Sequence, residues 1–204
     1  PKIRENQGYL RPSPTRTKWN AWNPKFHGVW KPSVRDLESD GKIGEYYEVP
    51  KHSSELFADH AVEFLASSKK SKTPFFMYVS FNAPHDPRQS PKSFVERYPV
   101  TKTKIPKNYL PDHPFDNGAI TIRDEQLAPF PRTKNAIRTH RAEYYAMISH
   151  MDEQIGRILN ALEKSGQADD TYIIFTSDHG LAVGSHGLMG KQNPYDHSIR
   201  MPFL

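Results

Sequence analysis

The chain has 204 residues, enough for one domain with a substantial core, although only 36% of them are hydrophobic. It has no cysteine, which excludes disulfides, a cysteine nucleophile and a thiolate metal site within this stretch. The net charge of +5 is compatible with an anionic substrate or with an ordinary basic surface, while a membrane-spanning apolar run and any nucleic-acid-binding motif are absent from the sequence.

Residues 1–50 show no sustained periodicity and are rich in Pro, Trp, Asn and Gly. We expect an irregular segment that covers a sheet edge or the rim of a cleft. Within it, the basic aromatic stretch 18–31 could stack on sugar rings or pack as a hydrophobic lid, and the sequence leaves both open. The chain starts without Met and without a signal-like apolar segment, so we expect Pro1 to lie downstream of the true N-terminus.

A helix is predicted over residues 53–68, with Ser53 or Ser54 as its N-cap. Its apolar side chains recur at helical spacing, at Phe57, Ala61, Phe64 and Leu65. The short apolar run "FFMYVSF" at 75–81 then predicts a strand buried on both faces, as strands of parallel sheets are.

Residues 82–135 have little periodicity, and a loop of that length in a compact domain is either functional or evidence against the assignment of elements. Residues 136–166 predict a long amphipathic helix, and "TYIIFTS" at 171–177 predicts a second buried strand. The order of elements indicates an α/β fold with a mostly parallel central sheet flanked by helices. We see no domain boundary within 1–204.

Polar residues follow both predicted strands. His85 lies in "NAPHDP" after the first strand, and Asp178 and His179 directly follow the second. Ligands of open α/β sheets bind at the carboxyl ends of the strands, so these side chains are candidates for one site. Asp178 offers a hard oxygen ligand or merely caps a turn, whereas the imidazole of His179 suits zinc or manganese better than calcium, which leaves the metal open.

A lysine lies in a glycine-flanked loop farther along. Lys191, in "HGLMGKQNP", is suited to neutralising an oxyanion, although solvated loop lysines are common. His186 precedes it as a candidate for lining a cleft. The sequence contains no P-loop, no dinucleotide fingerprint and no nucleophile elbow, so the chemistry of those sites is not supported.

Three stretches together resemble the type I sulfatases, the formylglycine-dependent branch of the alkaline phosphatase superfamily. The resemblance is continuous from about Ser53 to the C-terminus and is most specific in the last thirty or so residues, where Asp-His-Gly, a Gly-Lys loop and Arg-x-Pro follow one another. The stretches are "FFMYVSFNAPHDP", "YYAMISHMDEQIGRIL" and "TYIIFTSDHGLAVGSHGLMGKQNPYDHSIRMPFL".

The resemblance implies an alkaline-phosphatase-like fold, in which 1–204 is part of a single catalytic domain with 1–50 as an irregular substrate-facing insertion and 51–204 as an α/β core segment. It also implies a role for each matching residue. Asp178 and His179 correspond to metal ligands, usually for calcium. His85 corresponds to a histidine that contacts the sulfate and the leaving group, and Lys191 to a lysine that bridges the sulfate and the nucleophile. Less specific pocket-lining positions are implied at His186 and Asn193.

The implied reaction is hydrolysis of a sulfate ester by metal-assisted formylglycine chemistry. The substrate class that we favour is a sulfated carbohydrate, and the family habit implies a periplasmic or extracellular protein. Two other functions stay open. One is a phosphate or phosphonate ester hydrolase of the same superfamily, and the other is a catalytically inactive relative that binds sulfated glycans.

Three parts of the family pattern are missing from the sequence. The family's nucleophile lies in a Cys/Ser-x-Pro-x-Arg motif, and the Ser13-Pro14-Thr15-Arg16 of this chain has the wrong spacing. The family's first pair of metal-binding Asp residues and its Gly-Lys-Trp-His motif are missing too. We therefore predict an internal fragment that is inactive alone, with formylglycine upstream in a full-length parent that is the enzyme.

Overall fold

The computed structural model describes residues 33–36, 41–68, 71, 73–86, 88–120 and 122–204. The aromatic stretch 18–31 and Ser13 lie outside the described residues, as does most of the predicted insertion. The described residues form two compact units. The first holds the residues up to Arg97 together with Ala146–Thr171, and the second holds Tyr98–Tyr145 together with Tyr172–Leu204.

The regular elements are mostly helical. In chain order they are β1 (Ser33–Val34), β2 (Tyr47–Glu48), α1 (Ser53–Ser68), α2 (Lys92–Val95), α3 (Lys134–Ser165) and α4 (Asp196–Ile199). Short 3₁₀ helices lie at Val100–Lys102, Arg123–Leu127 and Ala168–Asp170. β1 and β2 pair antiparallel in a two-stranded sheet.

The predicted helix over 53–68 is confirmed, but its cap is not the one we expected. His52 precedes the helix, and its Nδ1 accepts the backbone N–H of Ser54 at 3.1 Å. The carbonyl of His52 accepts the N–H of Leu56 at 3.0 Å, so His52 closes the first turn. Ser53 and Ser54 are buried inside that turn, and the prediction of a serine cap is wrong.

The core of the first unit lies between α1 and the C-terminal half of α3. The long helix predicted at 136–166 is confirmed, and Gly166 with φ of 76° follows its end, a usual way to stop a helix. The buried side chains that α1 and α3 share are Ala58, Ala61, Leu65, Ile158 and Leu162.

The stretch 75–81 lies against this core on one side only. Its odd-numbered residues pack on the α1–α3 core, whereas Phe76 and Tyr78 are 90% and 81% exposed. The prediction of a strand buried on both faces is therefore wrong for the described residues. A strand is defined by hydrogen bonds to a neighbour, and no described residue pairs with this stretch.

The second predicted strand behaves similarly. In 171–177, a single antiparallel bridge joins Thr176 to Phe203, and Phe175 and Leu204 exchange backbone hydrogen bonds at 3.0 Å. Tyr172 is fully exposed. Within the described part of the chain the pairing is antiparallel, so the predicted parallel sheet is not seen, because apolar content predicts an extended segment but not its partner.

The core of the second unit holds a tight loop in place. Ala128 and Ile137 pack against Val183 and Met189, which lie on the two arms of the loop 182–190. The arms are joined by backbone hydrogen bonds, from Ala182 N–H to Gly190 O and from Gly184 N–H to Leu188 O. A Cβ at Gly184 would lie 2.4 Å from Ile137, so only glycine permits this approach. None of the described helices is long and apolar enough to cross a membrane.

Candidate functional site

Asp178 and His179 form a local pair after the extended stretch. The carboxylate Oδ1 of Asp178 accepts the backbone N–H of His179 at 3.0 Å, and its Oδ2 lies 3.4 Å from His179 Nε2. The Asp178 side chain is 83% exposed. Gly180 then turns the chain, where its N–H donates to the Ser198 carbonyl at 3.0 Å.

The environment keeps the Asp178 carboxyl ionised. Desolvation raises its pKa, but the charge of His179 and hydrogen bonds from the His179 N–H and the Ser177 hydroxyl outweigh that effect, so the pKa of Asp178 lies below its ordinary value. On His179, Nδ1 lies 3.2 Å from the Gly180 carbonyl. This contact orients the ring so that Nε2 faces the Asp178 carboxylate.

An ionised carboxylate and an imidazole nitrogen 3.4 Å apart fit two ligands of a divalent cation. They do not form a complete site. Within the part of the chain that the structure describes, no group of three or more His, Asp, Glu or Cys side chains is placed to hold a metal ion. Any cation bound here needs further ligands.

Lys191 lies just after the loop 182–190, and its ammonium group is largely enclosed. Its side chain is 16% exposed, and Nζ lies 3.7 Å from Oδ2 of the buried Asp124. The same carboxylate accepts a hydrogen bond from Gln192 Nε2 at 2.9 Å. Gln192 Oε1 in turn accepts the backbone N–H of Lys191 at 3.0 Å. This lysine is held in one place, unlike a solvated loop lysine.

A buried ion pair supports the backbone before Lys191. Glu125 and Arg132 are both fully buried, and Arg132 Nη2 donates to Glu125 Oε2 at 2.5 Å. The two Glu125 oxygens also accept the backbone N–H groups of Met189 and Gly190, each at 2.8 Å. Arg132 Nε donates to the Gly187 carbonyl at 3.0 Å. Burial lowers the pKa of Arg132 to about 10 despite Glu125, but it stays protonated at neutral pH.

His186 is held in an aromatic and polar cluster. Its ring stacks on Tyr195 with 4.2 Å between centroids, and its Nε2 lies 3.1 Å from the amide nitrogen of Asn108. Its carbonyl lies 2.8 Å from Nδ1 of His113. His186 has a backbone φ of 56°, which residues other than glycine rarely adopt, and these contacts hold it in that conformation.

Asn193 is buried and His197 is half-buried. Asn193 is 5% exposed, and its amide oxygen accepts a hydrogen bond from Asn117 Nδ2 at 2.5 Å. His197 has its pKa lowered to about 4, mainly by burial and further by the neighbouring His186, with Asp196 opposing. Substrate binding by His186 and Asn193 stays a prediction.

His85 belongs to the first unit, whereas the other predicted site residues belong to the second. Its Nδ1 lies 2.7 Å from the Asp86 carbonyl and 3.4 Å from Asp86 Oδ1. The side chain of Asp86 is 5% exposed, while that of His85 is 32% exposed. These contacts hold the imidazole through Nδ1. Nε2 is the nitrogen at which a histidine held in this way could exchange a proton.

The sequence did not reveal the residues that hold Lys191. Asp124, Glu125 and Arg132 lie in "RDEQLAPFPR", inside the long region that we expected to be a functional loop. The available signal was an acidic pair and an arginine in a proline-rich stretch without periodicity. Charged residues there are more often solvated, so the pattern did not distinguish them from surface residues.

Comparison with known families places the whole described chain in one group. The Sulfatase family profile matches residues 5–204. Among curated proteins, the chain is 34% identical over 158 residues to the iduronate 2-sulfatase of Mus musculus, covering 72% of this chain and 29% of that protein.

Solved structures of related enzymes also resemble this chain. The crystal structure of YidJ from Bacteroides fragilis has a TM-score of 0.65 and 27% identity, covering 91% of this chain and 36% of that one. The phosphonate monoester hydrolase of Agrobacterium radiobacter has a TM-score of 0.62 and 29% identity, covering 74% of this chain and 33% of that one. The chain thus spans about a third of the length of these proteins.

Proposed function

Because this chain belongs to the sulfatase family of the alkaline phosphatase superfamily, we propose that the protein containing it hydrolyses an organic sulfate ester. The observation that carries the proposal is Lys191, an ammonium held by the buried Asp124 at the end of a rigid glycine-flanked loop. A fixed cation in a partly water-excluded place stabilises charge that develops on sulfuryl oxygens.

Each of the other candidate residues takes a part that its geometry supports. Lys191 binds a sulfuryl oxygen and orients the ester. With Nδ1 held against the Asp86 carbonyl, His85 would exchange a proton at Nε2 with the leaving oxygen. His186 and Asn193 line the substrate site.

Asp178 and His179 would hold the family's divalent cation, for which we propose calcium because Asp178 supplies a hard, ionised oxygen. When bound, such a cation withdraws negative charge from the sulfuryl oxygens. The family's formylglycine supplies the nucleophile, and we propose that it lies in a part of the protein outside this chain, which itself has no cysteine.

A sulfated carbohydrate is the substrate class that we propose. Two observations support it: the name of the similar mouse protein specifies a sulfated sugar acid, and this chain carries a net charge of +5. Positive charge attracts sulfated sugars and raises their rate of encounter. The compartment proposed for such a protein is the periplasm or the cell exterior.

Phosphonate or phosphate ester hydrolysis is the second candidate, and the likeness to a phosphonate monoester hydrolase favours it. Lysine and a divalent cation would bind a phosphoryl group equally well. The two functions differ in the nucleophile, since a formylglycine precursor indicates a sulfatase and an unmodified Ser or Thr a phosphatase.

The test compares ester classes on the full-length protein that contains this chain. Release of sulfate from sulfated mono- and disaccharides is measured beside release of phosphate and phosphonate from matched aryl esters. We expect kcat/KM to be highest for a sulfated saccharide, to fall after EDTA treatment and to return with added calcium.

Substitution of the lysine tests the site. Lys191→Ala should lower kcat/KM about 100-fold to 1,000-fold, the usual cost of removing one donor to a developing oxyanion. Lys92→Ala, at an exposed lysine that pairs with Glu96 on the surface, is the matched control and should change little. A Lys191→Ala variant as active as the Lys92→Ala control, or a preference for phosphonate esters, would overturn the proposal.

A further inference from the structure

The loop that carries Lys191 is fixed from inside the protein by a carboxylate. Glu125 is fully buried, and its two oxygens accept the consecutive backbone N–H groups of Met189 and Gly190 at 2.8 Å. These N–H groups belong to the two residues directly before Lys191. A carboxylate that binds adjacent N–H groups fixes the direction in which the chain leaves them.

Arg132 fixes the other side of the same turn. It neutralises Glu125 and donates from Nε to the Gly187 carbonyl, while its Nη1 donates to the carbonyls of Glu125 and Ala128. Gly187 lies directly against the neighbouring segment, since a Cβ there would lie 2.6 Å from the backbone of Asp112. The stretch 187–190 is therefore held by the buried Glu125 and Arg132 and lies close to Asp112.

Asp124, the residue before Glu125, contacts Lys191 directly. Asp124 is 1% exposed, and its Oδ2 lies 3.7 Å from Lys191 Nζ. Each of two consecutive buried acids thus has its own cation, Arg132 for one and Lys191 for the other. Unpaired buried charges are costly, so neither cation can leave without exposing or stranding an acid.

We infer that Glu125 and Asp124 are positioning residues that set the place of the Lys191 ammonium for sulfate ester hydrolysis. Glu125 sets the backbone before the lysine, and Asp124 sets the ammonium. This inference rests on the proposed function of Lys191, and it adds residues that act on the substrate only through that lysine.

A double-mutant cycle in the full-length protein tests this. Glu125→Gln keeps the side-chain shape but replaces one acceptor oxygen by an NH₂ group, which cannot accept a backbone N–H. We expect kcat/KM to fall about 100-fold through kcat, the cost of a misplaced catalytic group, with little change in KM. In the Lys191→Ala background the same substitution should change kcat/KM by no more than about twofold.

The cycle separates positioning from general loss of structure. A purely structural defect lowers kcat/KM by the same factor with or without Lys191, which would overturn the inference. Glu55→Gln is the matched control, because Glu55 contacts His150 in the first unit. Its small effect should be equal in both backgrounds.

Glu125→Gln removes a buried charge and can prevent folding, so Asp124→Asn provides an independent cycle. We expect it to lower kcat/KM about tenfold, because it removes the charge that faces the ammonium at 3.7 Å, and only when Lys191 is present. An effect of Asp124→Asn that persists in the Lys191→Ala background rejects the inference while the proposed function stands. A fully active Lys191→Ala variant rejects both.

Discussion

At the scale of single residues, the chain after Ser177 depends on a glycine that cannot be replaced. A Cβ at Gly180 would lie 2.0 Å from the carbonyl oxygen of His197, far inside van der Waals contact. The clash is with backbone atoms, and the Gly180 N–H donates to the Ser198 carbonyl at 3.0 Å. Neither of the two backbone segments can therefore shift without breaking this contact. Gly180 therefore fixes the turn beside Asp178.

Replacement of Gly180 should destabilise the protein strongly. We expect Gly180→Ala to lower the free energy of unfolding by about 3 kcal/mol, or about 6–12 °C in Tm for a chain of this size. Thermal unfolding followed by circular dichroism measures it.

Gly156→Ala is the matched control, because Gly156 lies within α3 and nothing lies within 4 Å of its Cβ position. Alanine at that position should be neutral or should stabilise by up to about 1 kcal/mol. Equal Tm values for the two alanine variants would show that the Gly180 turn adapts.

At the scale of elements, the start of α1 contacts α3 through two histidines, the half-buried His52 and the buried His150. The rings of His52 and His150 meet edge to face with 4.6 Å between centroids. His52 Nδ1 accepts the Ser54 N–H and its Nε2 lies 3.1 Å from the Gln89 carbonyl, which defines a neutral ring protonated at Nε2. His150 Nε2 lies 3.1 Å from Glu55 Oε1.

Burial lowers the pKa of both histidines to about 4. For His52 the neighbouring His150 lowers the pKa further, while the Gln89 carbonyl and Glu55 oppose the shift. A histidine whose pKa falls on folding contributes its full stability above about pH 6.5 and loses it as the pH falls toward 4. At full protonation the loss is roughly 3 kcal/mol for each ring.

We therefore expect Tm to fall as the pH is lowered from 7 to 4.5, and part of that fall to depend on His150. His150→Gln keeps a donor for Glu55 but does not titrate, so it should lose less Tm over this interval than the unmodified chain. His60→Gln, at an exposed position of α1, is the control and should follow the unmodified chain. Parallel curves for all three would contradict the assignment.

Local sequence predicted those elements whose stabilising contacts are close in the chain. The helices α1 and α3 were predicted nearly to the residue, because helical hydrogen bonds and apolar periodicity are both local. The stretches 75–81 and 171–177 were predicted as buried strands, but a strand depends on a partner that its own sequence does not specify.

The same distinction holds at the candidate site. Asp178, His179 and Lys191 lie in one short motif, so the resemblance could reveal them. Glu125 contacts its loop across 64 and 65 residues of sequence, and no spacing rule connects positions so far apart.

At the scale of the whole molecule, apolar side chains stand open to solvent along both extended stretches. Phe76 and Tyr78 are exposed in the first unit, and Tyr172 and Ile174 are 100% and 69% exposed in the second. Soluble proteins rarely leave rows of large apolar side chains uncovered, and such rows favour association. The chain spans about a third of the length of its relatives. The exposed rows are therefore a property of the 204-residue chain on its own.

The 204-residue chain expressed alone should therefore self-associate at micromolar concentration and bind a hydrophobic dye such as ANS. Ile174→Thr keeps a β-branched side chain and removes apolar surface, so it should reduce both properties without lowering Tm. Ile43→Thr makes the same chemical change at a 57% exposed isoleucine outside both stretches, and it should leave association as it was. Sedimentation velocity and ANS fluorescence measure the two properties.

A monomeric chain with little dye binding would mean that these side chains are covered in solution. Equal effects of the two substitutions would mean that association does not depend on residues 171–177.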